Sequence, residues 1–243
     1  MEKEFAMTKY LTNSIEYLTS GKLKMADLIN NDYRLLSVLY RLGINMGFGD
    51  DSVIDICSKH NINPSSFMLI CNTYIYEGYI PSDELMQSSD PKDIITYLHN
   101  SHSFYINTEL STIENYINML VTPCDATRKK IIVNFFSEYR SEVSNHFAYE
   151  EDIVFPYIRT ISSENSQKSY RIGRFEESHS NIDEKLNDLR NILMKYLPSV
   201  CDSLLAIKVL SHLYRLEYDL KKHTSIENNI LIPLVNKLEK NDN

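Results

Sequence analysis

Glycine and proline are scarce, at 6 and 7 residues in 243, and tryptophan is absent. A turn-rich β-sandwich or barrel needs frequent glycine and proline punctuation, so the shortage favours helices. Only four cysteines occur, Cys57, Cys71, Cys124 and Cys201, and none forms a CxxC pair. That spacing argues against a structural zinc knuckle or a disulfide framework and leaves reduced, buried thiols as the expectation. No window holds the roughly 20 consecutive apolar residues that cross a bilayer. The opening Met1-Glu2-Lys3-Glu4-Phe5 lacks the apolar core of a secretory signal, so a cytoplasmic protein with no membrane partner is expected. A basic excess is missing too. Lysine and arginine number 25 against 33 acidic residues, a net charge of −8, which argues against nucleic acid as a partner.

What is present is helical periodicity. Leu35, Leu36, Val38, Leu39 and Leu42 share a face that stops near Gly43. Gly47 to Ser52 reads as a turn with its own N-cap, followed by Val53, Ile54, Ile56 and Cys57. A further helix starts around Pro64 and runs through Tyr74. These short helices predict a small N-terminal domain over residues 1–82, with a polar linker around Gln87 to Asp90. Asp90-Pro91 then supplies an N-cap and a first-turn proline. Four long amphipathic helices are predicted, about 91–120, 127–154, 170–196 and 202–231, with breaks at Pro123, Pro156, Pro198 and Pro233. Their lengths and connections predict an all-α fold, an antiparallel four-helix bundle over residues 90–240.

The chemistry lies in a repetition. Helix two ends His146-Phe-Ala-Tyr-Glu150-Glu-Asp-Ile153-Val-Phe155-Pro156, and helix four ends His223-Thr-Ser-Ile-Glu227-Asn-Asn-Ile230-Leu-Ile232-Pro233. Both read His-x-x-x-Glu-x-x-Ile-x-(large apolar)-Pro. With 33 acidic residues in 243, any histidine has about a one-in-seven chance of an acid four residues on, so one such motif carries little weight. Two with matching tails carry much more. On a helix, i and i+4 share a face, so each motif aims an imidazole and a carboxylate at one point. Two such helices offer a metal site, since carboxylates bridge metal ions and imidazole suits iron, zinc or copper. The other two helices each bring histidine. His179 shares a face with Phe175, Ile182 and Leu186, whereas His99 and His102 are three residues apart and periodicity barely separates them.

His146 to Pro156, Glu176 to His179, His223 to Pro233 and Tyr97-Leu98-His99-Asn100-Ser101-His102 together resemble the hemerythrin-like domain of the iron–sulfur cluster repair di-iron proteins, the repair-of-iron-centres family. The resemblance implies two non-haem irons; zinc or manganese, which His and carboxylate ligands also accept, are lesser alternatives. It implies His99, His146, His179 and His223 as ligands, with Glu150 and Glu227 as bridging carboxylates. By the same likeness His99 is favoured over His102, and Glu142 lies near the site. The implied function is repair or protection of clusters damaged by oxidative or nitrosative stress. Damaged iron–sulfur proteins and the diatomics oxygen and nitric oxide would be the partners, in a homodimer.

Residues about 23–72 are similar to the small domain that precedes the bundle in that family. The family's adjacent cysteines before Gly-Gly are replaced here by Met46-Gly47-Phe48-Gly49-Asp50. Oxygen-carrying hemerythrins place a second histidine four residues after the third-helix ligand, where this chain has Asp183, a lesser ligand candidate. The alternative readings are a sensor of oxygen, nitric oxide or redox state that signals through the N-terminal domain, and a metal-free helical interaction protein.

Overall fold

The structure, a computed structural model, describes residues 21–161, 172 and 182–241. No strand occurs among the described residues; one isolated antiparallel bridge joins Lys24 and Ser52. The chain divides into two compact units. One comprises Met1–Asn100 with Ser225–Val235, and the other Ser101–Thr224 with Asn236–Asn243.

The first unit contains α1 (Met25–Asn31), α2 (Leu35–Arg41), α3 (Val53–Lys59), α4 (Pro64–Ile75) and α5 (Asp83–Gln87), and the start of α6 (Pro91–Phe104). Sequence chemistry sets its helix starts. Ser52 and Asp55 form a reciprocal capping box on α3, and Asn63 caps α4 ahead of Pro64. Gly43 stands after α2 at φ +68°, a left-handed position that glycine adopts at low cost. Leu35, Val38, Leu39, Phe67, Leu69 and Ile70 are among its fully buried residues.

In the second unit the end of α6 runs without a break through a π-helical turn, π1 (Tyr105–Glu109), into α7 (Leu110–Leu120). Likewise α8 (Ala126–Tyr149) passes through π2 (Glu150–Val154) into α9 (Phe155–Thr160). The third helix is α10 (Ile182–Tyr196). The fourth, α11 (Ser203–Ile226), continues through π3 (Glu227–Leu231) into α12 (Ile232–Asn241), its stretch Ser225–Val235 being grouped with the first unit. Each run carries an apolar stripe at the i, i+3, i+4, i+7 spacing of a core-facing helix. Ile113 and Ile117, Phe136 and Val143, Leu186 and Leu189, and Leu213 and Leu216 belong to one buried core. Cys124, between α7 and α8, touches Cys201, between α10 and α11. The first and third connections therefore lie at one end of the bundle, as an up-and-down chain path requires.

One expectation fails here. Pro156 and Pro233 do not end their helices; the chain stays helical to Thr160 and to Asn241. No described helix is long and apolar enough to cross a membrane.

Candidate metal centre

His146 and Glu150 stand at the α8–π2 junction, and His223 and Glu227 at the α11–π3 junction. Backbone angles stay right-handed helical through both junctions, so each i, i+4 pair keeps to one side of its helix. Glu150 is the hub of the site and is fully buried. His146 Nε2 lies 2.9 Å from its Oε1. His102 Nε2 and His223 Nε2 lie 3.0 and 3.9 Å from its Oε2. Yet neither Glu150 oxygen receives a well-directed hydrogen bond. A buried carboxylate in that condition carries the full cost of desolvation unless a cation or proton offsets it. Burial alone would raise its pKa, but the imidazoles of His102, His146 and His223 beside it outweigh that effect and hold the carboxyl well below the usual range.

His102 is held from three sides. Its Nδ1 is 2.7 Å from Glu151 Oε1, and its ring lies between Phe147 and Phe155, stacked at centroid distances of 4.1 and 5.5 Å. A proton on Nδ1 donated to Glu151 leaves the Nε2 lone pair facing the cluster, which is how carboxylates orient metal-binding histidines. His102 Nε2 and His223 Nε2 are 3.1 Å apart. Two nitrogens bound at right angles to one metal, each about 2.1 Å from it, stand about 3.0 Å apart, so the spacing suits a shared ion. Tyr105 meets the His223 ring edge-on at 5.8 Å. Taken together, one ligand atom from each of His102, Glu150, His223 and Glu227 lies within 4.8 Å of the other three, and all four residues are buried. The donor set fits a metal ion of the kind that accepts both nitrogen and oxygen.

The repeated tail after each glutamate now has a structural meaning. Pro156 and Pro233 each fall six residues after a glutamate that starts a π-helical turn. Proline lacks an N–H, and its ring crowds the carbonyl four residues back. A wider turn absorbs that mismatch and lets the helix continue. π-helical turns are rare and concentrate at functional sites. Nothing in the structure accounts for π1, which has no such proline.

The structure brings together His102, His146, Glu150, His223 and Glu227. It does not bring His99. His99 is exposed, on a stripe with Lys92, Thr96 and Ser103, whereas His102 lies on the buried stripe with Leu98 and Tyr105. Of the two first-helix histidines, His102 and not the expected His99 therefore belongs to the buried cluster. Glu142 pairs with Lys185 of α10. His179 lies outside the described residues, as does the side chain of Asp183. Sequence reasoning missed Glu151. Its only signal was adjacency to Glu150, and an acid beside a ligand on a helix more often faces solvent.

Comparison with known proteins gives one family. The hemerythrin HHE cation binding domain matches residues 106–235, which include both His-x-x-x-Glu motifs. That domain is a cation-binding one, so a metal-binding role agrees with the His/Glu cluster. No curated protein matches the chain.

Proposed function

Because this chain belongs to the hemerythrin HHE cation-binding domain family, we propose that it is a non-haem di-iron protein that protects or repairs iron–sulfur clusters damaged by oxidative or nitrosative stress. One observation carries the metal half of this reading: two His-x-x-x-Glu motifs, one per helical run, whose His146, His223 and Glu227 are gathered with His102 around the buried Glu150. Glu150 and Glu227 would supply carboxylates to hold the irons, and His102, His146, His179 and His223 would supply the imidazoles. Bound iron would contribute one-electron chemistry and open positions for oxygen or nitric oxide.

The chain's own residues prepare the place. Glu151 fixes the His102 tautomer, while Phe147, Phe155 and Tyr105 pack around the imidazoles and restrict water. The imidazoles must be neutral to bind, so protons compete with iron for these nitrogens. The repair half is supported by the resemblance of the four histidine-bearing segments to the repair-of-iron-centres proteins, with damaged iron–sulfur proteins as clients.

Metal analysis of protein made in iron-replete cells is expected to find about two irons per chain. The double variant Glu150→Ala/Glu227→Ala is expected to bind none while its far-ultraviolet circular dichroism stays helical. Full iron retention in that variant would defeat the assignment. A cluster-restoration assay on a damaged iron–sulfur enzyme tests repair separately. No restoration by the iron-loaded protein removes repair and leaves the metal centre standing.

A further inference from the structure

Cys124 and Cys201 are 77 residues apart in sequence, yet their sulfurs lie 3.4 Å apart. Both are free thiols. Cys201 is buried in the bundle core, and Cys124 is half-buried at its edge. Each immediately precedes an aspartate that caps the next long helix. Asp125 accepts a hydrogen bond from the Arg128 amide, and Asp202 from the Leu205 amide. The two Cys-Asp steps are thus pinned at equivalent points, the starts of α8 and α11. A disulfide bond is about 2.05 Å long, so the sulfurs need to close by roughly 1.3 Å, within reach of side-chain rotation on two loops.

We propose that Cys124 and Cys201 form a reversible disulfide by exchange with a low-molecular-weight disulfide such as oxidised glutathione, a redox modification site about 30 Å of helix away from the His102 end of the bundle. In the first step the Cys124 thiolate attacks one sulfur of the small disulfide. A Cys124 mixed disulfide forms, and one small thiol leaves. The Cys201 sulfur, losing its proton, then attacks Cys124 Sγ, and the second small thiol departs. Two electrons pass from the cysteine pair to the small disulfide, and the two cysteine protons end on the released thiols.

The order of attack follows from the surroundings. Cys124 is the accessible sulfur. Burial and the neighbouring Cys124 push the Cys201 thiol up to about 11, so it keeps its proton and can donate it toward a Cys124 thiolate. The other two thiols differ. Cys57 and Cys71 are fully buried, with Cys57 pushed up to about 12 and Cys71 well above its ordinary value, and they are expected to stay unreactive.

The test treats the purified full-length chain with oxidised glutathione, then counts thiols after denaturation and maps linked peptides by mass spectrometry. The expected result is loss of two of the four thiols, a mass lower by two hydrogens, a single Cys124–Cys201 linked peptide, and a Tm raised by several degrees. Cys201→Ser is expected to stop at a glutathionyl adduct on Cys124, and Cys124→Ser to stay unmodified. Four intact thiols in the natural sequence overturn the proposal. So does an adduct on Cys124 that never closes, a different linkage, or a disulfide between two chains. Should a serine variant fail to fold, the peptide map of the natural sequence decides alone.

Discussion

Two buried polar clusters, one in each unit, were built on opposite principles. In the first unit Arg41, Tyr74 and Tyr97 form a closed triangle. The Arg41 guanidinium donates to both phenol oxygens at 2.9 and 3.0 Å, and the two hydroxyls are 2.7 Å apart. All three side chains are essentially inaccessible. In the second unit the Glu150 carboxylate is equally buried, but its neighbours are imidazole nitrogens that give it no well-directed hydrogen bond. A hydrogen-bonded triangle of donors and acceptors offsets part of its own desolvation cost, although Arg41 Nε donates no well-directed hydrogen bond, just as the Glu150 oxygens receive none. A carboxylate ringed by imidazole nitrogens needs positive charge beside it, from a protonated imidazole or a metal cation. The first cluster therefore reads as structure and the second as a site.

The largest expected effect breaks the open cluster at the residue that distinguishes it. His102→Ala removes a buried imidazole whose Nε2 lies beside both Glu150 and His223. Iron content is expected to collapse, with affinity down about 100-fold or more. His99→Ala, on the exposed stripe, is expected to leave iron content unchanged. Metal analysis of the two variants side by side checks this. Equal loss in both, or loss only in His99→Ala, would return the first-helix position to His99.

A smaller effect, of a different kind, is expected from the closed cluster. Arg41→Ala removes a buried side chain that donates to two phenols and stacks against Tyr97 at 5.8 Å. The cavity and the two hydroxyls left short of a donor should cost about 2–4 kcal/mol of stability. Thermal unfolding should show the loss while iron stoichiometry stays unchanged. A variant that keeps its Tm but loses iron would mean the triangle is no mere structural lock.

How much of this was legible beforehand depends on the range of the interaction. The apolar stripes of α7, α8, α10 and α11 and the two His-x-x-x-Glu pairs are local patterns, set by 3.6 residues per turn, and they read directly. The prolines misled because a lone Pro156 or Pro233 signals a helix end. That each follows a glutamate by six residues, and that a π-helical turn absorbs the lost N–H, is visible only in the backbone. The choice between His99 and His102 was barely legible from periodicity and becomes plain only from burial. Lys92, Thr96 and His99 share a stripe with a polar start, whereas His102 continues from Leu98. Cys124 and Cys201 were out of reach, because 77 residues separate them and only the closure of the bundle brings them together.

The smallest effect probes a third arrangement, closed by charge and open to water. Glu217 contacts the buried Arg190 guanidinium and lies 3.0 Å from Lys221 Nζ, and Arg190 also sits over the Tyr214 ring at 4.4 Å. The Arg190 hydrogen bond leads in lowering the Glu217 pKa below its ordinary 4.5. A carboxyl depressed on folding adds stability that is fully present above the unfolded value and is lost as pH falls through the folded one. Glu217→Gln should therefore destabilise the protein at neutral pH, by less than about 1 kcal/mol because solvent screens the pair. The difference from the natural sequence should vanish in denaturant titrations at pH values below the depressed folded pKa. A deficit that persists in acid would locate the loss in packing around Arg190 instead of in charge, and would move this pair toward the closed type that Arg41 represents.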